Sequence, residues 1–185
     1  DTLIKAATIV DGTGEPGFTG DVAITDGVIT HVSAPGEQLN GKAEHTISAD
    51  GALLAPGWVD VHTHYDGQVT WDDEIDPSFS HGVTSVVMGN CGVGFAPVPE
   101  GGERELIELM EGVEDIPGTA LYEGMPWGAW ASFPEYLDFL ATREYTLDVS
   151  AQIAHGALRY FVMGERGLNH EAATAEDRAA MARLT

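Results

Sequence analysis

The chain has 185 residues, 43% of them hydrophobic, which is enough apolar side chain for a packed core and too much for wholesale disorder. Its 30 acidic residues against 8 basic ones give a formal net charge of -22, which repels nucleic-acid phosphates and anionic lipid and excludes both as expected partners. The single cysteine, Cys91, allows no intrachain disulfide and points to a reducing compartment, so a cytoplasmic location is expected.

The sequence begins at Asp1 without a basic region followed by an apolar one. It contains no apolar run of about 18 residues, so neither a membrane span nor an intact signal peptide is expected. A signal peptide lost before Asp1 is compatible with this start. Residues 1–52 read as short strands joined by tight turns, at 2–10, 22–25, 28–32 and 45–48. Asp26-Gly27 between two β-branched runs is a hairpin signal, residues 36–41 form a polar connection, and the segment as a whole predicts a small β module.

From residue 53 onward strands alternate with helical stretches. Strands are expected at 53–61, 84–88 and 146–154, each apolar enough to be buried on both faces as parallel strands are. Helical patterning covers 103–110 and 133–141, the latter behind Ser132 as N-cap with Pro134 in its first turn. A further helix is expected over 174–184 behind Thr174. This alternation predicts an α/β arrangement of βα units around a parallel sheet over 53–185. Two long Gly- and Pro-rich segments, 89–102 and 112–130, read as functional loops. The second carries Tyr122, Met125, Trp127 and Trp130, which suit a lid or pocket wall as well as packing against the body.

The first of these strands runs into Trp58-Val59-Asp60-Val61-His62-Thr63-His64. Residues i and i+2 of a strand point the same way, so Asp60, His62 and His64 share one face, the arrangement needed to hold a metal at a strand's end. The same spacing also occurs in polar surface strands; the Pro56-Gly57 turn and the apolar opposite face bring the metal reading level with that one. Cys91 follows the next strand in Met88-Gly89-Asn90-Cys91-Gly92. If the two strands are parallel neighbours, Cys91 emerges on the same edge as the histidines. A cysteine after a strand is also a common small core residue; its glycine neighbours and Asn90 argue against that role here. Imidazole nitrogen and thiolate both suit Zn²⁺, which with an open position activates water and polarises a carbonyl. That is the chemistry of amide or ester hydrolysis. No Gly-x-Ser-x-Gly elbow, phosphate-binding loop or dinucleotide fingerprint is present, so serine hydrolase, NTPase and dinucleotide readings have no support.

Residues 55–68, with His62-Thr63-His64-Tyr65-Asp66-Gly67-Gln68 at their end, and residues 81–94, with Gly89-Asn90-Cys91-Gly92, closely resemble the N-acyl-D-amino-acid deacylases (D-aminoacylases) of the amidohydrolase superfamily. Val10-Asp11-Gly12-Thr13-Gly14 and the segments 109–121, 133–140 and 155–159 resemble the same family, so the resemblance covers essentially the whole chain. It implies that His62 and His64 are the metal-binding pair at the end of the first barrel strand. Cys91 matches the family's metal-ligating cysteine after the second, where more distant amidohydrolases rely on a carboxylated lysine from a later strand. It further implies a zinc hydrolase with one or two ions, acting on a small N-acyl amino acid. The implied fold is a (β/α)8 barrel with a small β-sandwich built from both chain ends.

A full barrel needs about 250 residues, and 53–185 hold about three βα units. The chain is therefore expected to be the N-terminal portion of a longer enzyme, or to be completed by other copies or chains. The resemblance implies that the family's two further histidine ligands and its general-base aspartate lie beyond Thr185. One alternative is a dihydroorotase- or hydantoinase-like cyclic-amide hydrolase, which shares the histidine strand but not the cysteine. Another is a non-catalytic truncated domain. His155 is read as a structural hydrogen-bonding residue rather than a substitute ligand, Arg159 as bracing a loop in preference to meeting a substrate carboxylate, and Asp60 and Asp66 as neighbours of the site rather than ligands.

Overall fold

A computed structural model describes residues 1–113 and 116–185; Glu114 and Asp115, which fall in the segment read as the second long loop, lie outside the described residues. The chain divides into two compact units, Asp1–Pro56 and Gly57–Thr185.

The first unit is a single mixed sheet. Strands β1 (Thr2–Ile9), β2 (Phe18–Thr25), β3 (Val28–Val32) and β4 (His45–Ser48) lie in the order β3-β2-β1-β4, and a short β5 (Leu53–Leu54) pairs with the end of β1. Asp26 and Gly27 both have positive φ, 50° and 75°, as a tight two-residue hairpin turn between twisted strands demands. Ala7, Ile9 and Val22 form the buried centre. The sequence placed one strand over 53–61; the chain instead breaks at Ala55-Pro56-Gly57. Leu53 and Leu54 pair in parallel with Thr8 and Ile9, so a unit boundary after residue 52 cuts off a strand of the first sheet.

The second unit is built on three parallel strands, β6 (Trp58–Thr63), β7 (Val83–Met88) and β8 (Asp148–Ala151), in the order β6-β7-β8. Between β7 and β8 run α1 (Glu103–Glu111), α2 (Gly118–Gly124) and α3 (Phe133–Leu140). After β8 come α4 (His155–Met163), α5 (Glu165–Leu168) and α6 (Ala175–Ala182). Strand β7 lies between its two neighbours, and its Val86 and Met88 are fully buried. They join Phe95, Leu106, Met110 and Leu121 in one core cluster. Helix α1 contributes Leu106, Ile107 and Met110 from one face, the spacing of an apolar stripe. Each such side chain contributes about 1.5–3 kcal/mol on burial.

Two expectations are corrected here. Neither outer strand is buried on both faces: Trp58, Val59 and Val61 of β6 are 70%, 60% and 63% exposed and Asp148 and Ser150 of β8 are exposed, because β6 and β8 lie at the edges of the sheet among the described residues. The segment 112–130 is not a loop throughout, since α2 forms within it. Its aromatic residues largely pack against the body. Trp130 is buried, its indole N–H donates to the Phe95 carbonyl at 2.8 Å, and its ring meets Tyr136 and Phe139. Trp127 meets Phe95 edge-on and Met125 is buried, whereas Tyr122 stays exposed. No helix of the described residues is long and apolar enough to cross a membrane.

Candidate metal centre

His62 belongs to the last turn of pleat in β6 and His64 follows its end. Alternation on an extended strand sends both imidazoles to one side, and their rings stack with centroids 5.5 Å apart and planes 22° from parallel. Thr63, between them, points the other way and is buried; its hydroxyl donates to the Val87 carbonyl at 2.9 Å and ties β6 to β7. Asp60 accepts the backbone N–H of His62 at 3.2 Å, so its carboxylate is engaged by the strand itself.

Cys91 sits in the turn that closes β7. The turn begins at Gly89, whose φ of +84° and whose closeness to the Gln152 carbonyl oxygen leave no room for a Cβ. Gly92 N–H closes it onto the Gly89 carbonyl at 3.0 Å. The start of α4 then grips it from the far side, where Gly156 N–H donates to the Gly92 carbonyl at 2.6 Å. From the near side Asn90 reaches across, its side-chain amide donating to the Val61 carbonyl at 2.5 Å.

The result is that one ligand-capable atom from each of His62, His64 and Cys91 lies within 4.8 Å of the others. Around a tetrahedral zinc, with bonds of about 2.0–2.1 Å to nitrogen and about 2.3 Å to sulfur, ligand atoms stand about 3.3–3.8 Å apart. The three donors therefore need to close by only about an ångström; His62 and Cys91 are exposed and His64 is partly buried. Burial pushes the His64 imidazole below its ordinary value of 6.5, and the neighbouring His62 acts in the same direction. Both effects favour the neutral ring that a metal requires. The donor set fits a zinc ion.

The other residues singled out from the sequence are not among the three converging donors. His155 is the first residue of α4, exposed, with its Cβ 3.8 Å from where a Cβ on Gly92 would lie. Arg159 donates to the Glu171 carbonyl at 2.6 Å and so braces the segment ahead of α6. Asp66 is buried, its carboxylate packed beside Gly94 and its carbonyl accepting the Tyr136 hydroxyl at 2.9 Å. Asn90 and Thr63 are the residues to which the sequence assigned no role of their own in the site. A polar amide directly before a candidate ligand was the available signal for Asn90.

Parallel strands that deliver two imidazoles and a thiol to one edge define an α/β protein with a candidate metal centre at the strand ends. The profile of the amidohydrolase family matches residues 45–185, and the chain belongs to that family. It is 35% identical over 184 residues to the N-acyl-D-aspartate deacylase of Alcaligenes xylosoxydans xylosoxydans, a match that covers 100% of this chain and 33% of that protein. It is 30% identical over 181 residues to the D-aminoacylase of the same organism, covering 98% of this chain and 34% of the relative. Among solved structures, the N-acyl-D-glutamate deacylase of Bordetella bronchiseptica, crystallised with zinc and a phosphonate inhibitor, superposes over 100% of this chain and 35% of its own, with 29% identity and a TM-score of 0.71. A D-aminoacylase crystal structure gives 28% identity and a TM-score of 0.74, with the same coverage. The chain thus spans about a third of the length of the curated relatives it matches.

Proposed function

We propose that this chain carries the first metal ligands of a zinc-dependent amide hydrolase that deacylates N-acyl-D-amino acids. The observation that carries the proposal is the convergence of His62, His64 and Cys91 within 4.8 Å at the ends of adjacent parallel strands. Likeness over the whole chain to deacylases of N-acyl-D-aspartate and N-acyl-D-glutamate supports the substrate class.

In this reading Gly57–Thr185 is the N-terminal part of a (β/α)8 barrel, about three βα units long, and the first sheet belongs to a small β-sandwich. One or two zinc ions held by His62, His64 and Cys91, when bound, supply an acidified water and a Lewis acid for the acyl carbonyl. The chain's own residues supply the geometry. His62 and His64 offer imidazoles from one strand face, and Cys91 offers a thiolate from the opposing turn. The carboxylate that moves the proton during hydrolysis is proposed to come from a later strand, with further ligands. The exposed apolar residues of β6 support completion of the sheet by the remaining barrel segment or by other copies. A lone cysteine supports a cytoplasmic setting.

Metal analysis of the purified full-length protein tests the proposal, together with hydrolysis of N-acyl-D-aspartate, N-acyl-D-glutamate and their L-forms. Bound zinc is expected, with loss of metal and of D-selective deacylation in His62→Ala and Cys91→Ala. If neither substitution lowers the bound zinc, the assignment fails.

A further inference from the structure

The parallel ladder between β6 and β7 changes register where the candidate ligands sit. Asp60 pairs with Val86, but Thr63 pairs with Met88, so β6 has one more residue than β7 over this stretch, and the extra length falls at Val61 and His62. A bulge of this kind interrupts the ladder and re-aims the side chains around it. Two side chains bridge the interruption. Thr63 donates to the Val87 carbonyl at 2.9 Å, and Asn90 donates to the Val61 carbonyl at 2.5 Å. The second link joins the residue immediately before Cys91 to the residue immediately before His62, across a sequence separation of 29 residues. The other side of the Cys91 turn is already held by Gly156 and Gln152, whose N–H groups donate to the Gly92 and Met88 carbonyls at 2.6 Å and 2.9 Å.

We infer that Asn90 is a positioning residue which sets the distance between the thiol of Cys91 and the histidine strand, and so prepares the three donors for a metal. The inference rests on the reading of this cluster as a metal centre. In this role Asn90 acts through its amide nitrogen, which donates to the Val61 carbonyl, and its effect reaches the metal through the backbone at Val61-His62 and Asn90-Cys91. Removing the amide leaves the Cys91 turn attached to β8 and α4 alone, free to drift from β6.

The test is Co²⁺ titration of the full-length protein carrying Asn90→Ala or Asn90→Leu, with His62→Ala and Cys91→Ala in parallel. The readouts are the affinity and the near-ultraviolet thiolate-to-cobalt charge-transfer band. Both Asn90 variants are expected to bind Co²⁺ about 10- to 100-fold more weakly, the usual effect of losing a group that orients a ligand. Their thiolate band at saturation is expected to weaken, while cooperative unfolding of the metal-free protein persists. Parent affinity with an undiminished band in both variants would overturn the inference. So would loss of cooperative unfolding in both without metal, which would assign Asn90 to folding alone. Unchanged Co²⁺ binding in His62→Ala and Cys91→Ala would show instead that the metal centre itself is wrongly placed, and the role of Asn90 would go with it.

Discussion

Asp21 shows how much a single buried polar residue does in the first unit. Its side chain is 2% exposed, and its two carboxylate oxygens accept the backbone N–H groups of Ala6 and Leu39, each at 2.8 Å. Ala6 has a positive φ of 58° at the irregularity where β1 shifts register on β2, so Asp21 satisfies a donor that the ladder misses. Asp21→Ala is expected to cost about 1–3 kcal/mol for each donor left unsatisfied, measurable by urea unfolding. The Ala6 hydrogen bond is the largest influence holding the Asp21 carboxyl below its ordinary 3.8. A lowered carboxyl pKa contributes stability that is present above 3.8 and is lost as pH falls through the folded value. The first unit of the parent is therefore expected to lose stability below about pH 4 in a way that Asp21→Asn does not. At His64 the sign of the shift is the same but the charge differs. Burial is the larger cause of its lowered pKa and His62 the smaller, so NMR titration of the metal-free protein should give a midpoint below 6.5. His62→Ala should raise that midpoint only part of the way back.

Two helices open with the same capping box and are expected to answer its removal differently. Ser132 caps α3 by accepting the Glu135 N–H while Glu135 accepts the Ser132 N–H, and Thr174 and Asp177 do the same for α6. Helix α3 buries Tyr136 and Leu140, whereas α6 has no buried residue. Loss of the α3 cap therefore costs the packed core. Ser132→Ala is expected to lower global stability by about 1 kcal/mol. Thr174→Ala is expected to leave the global transition nearly unchanged and to speed amide exchange over Ala175–Ala182, as local fraying does. Asp177 is also hydrogen-bonded by Arg166 at 2.7 Å, the main reason its carboxyl falls from 3.8 to about 2. Its hold on α6 is thus complete above 3.8 and is lost as pH falls through about 2, which the same exchange experiment reads. These caps were legible in the sequence because they are local, a Ser or Thr followed three residues later by an acid. The break of 53–61 into β5 and β6 was not, since the partner of Leu53 and Leu54 is β1, more than forty residues earlier.

At the scale of the whole chain the three-stranded sheet leaves apolar surface in water. Trp58, Val59 and Val61 are more than half exposed, and an edge strand of this composition is a template for association. The 185 residues expressed alone are expected to associate at micromolar concentration. A monodisperse monomer with cooperative melting, by light scattering and calorimetry, would count against this. Trp58→Lys, which places a charge on that edge, should reduce association without disturbing Val86 or Met88 on the neighbouring strand.

The sequence by itself determined the donors and the local punctuation: His62-Thr63-His64, Cys91 among glycines, the Asp26-Gly27 hairpin, and the caps at Ser132 and Thr174. Each is a pattern over a few residues, where backbone geometry dictates which side chains share a face or a turn. Only the tertiary structure decided how the donors meet. The register change opposite Val87, the span from Asn90 to Val61, the packing of Trp130 on Phe95 and the exposure of β6 all join residues far apart in the chain. Which distant carbonyl takes a free amide, and which strand is left at an edge, depends on the packing of the whole sheet.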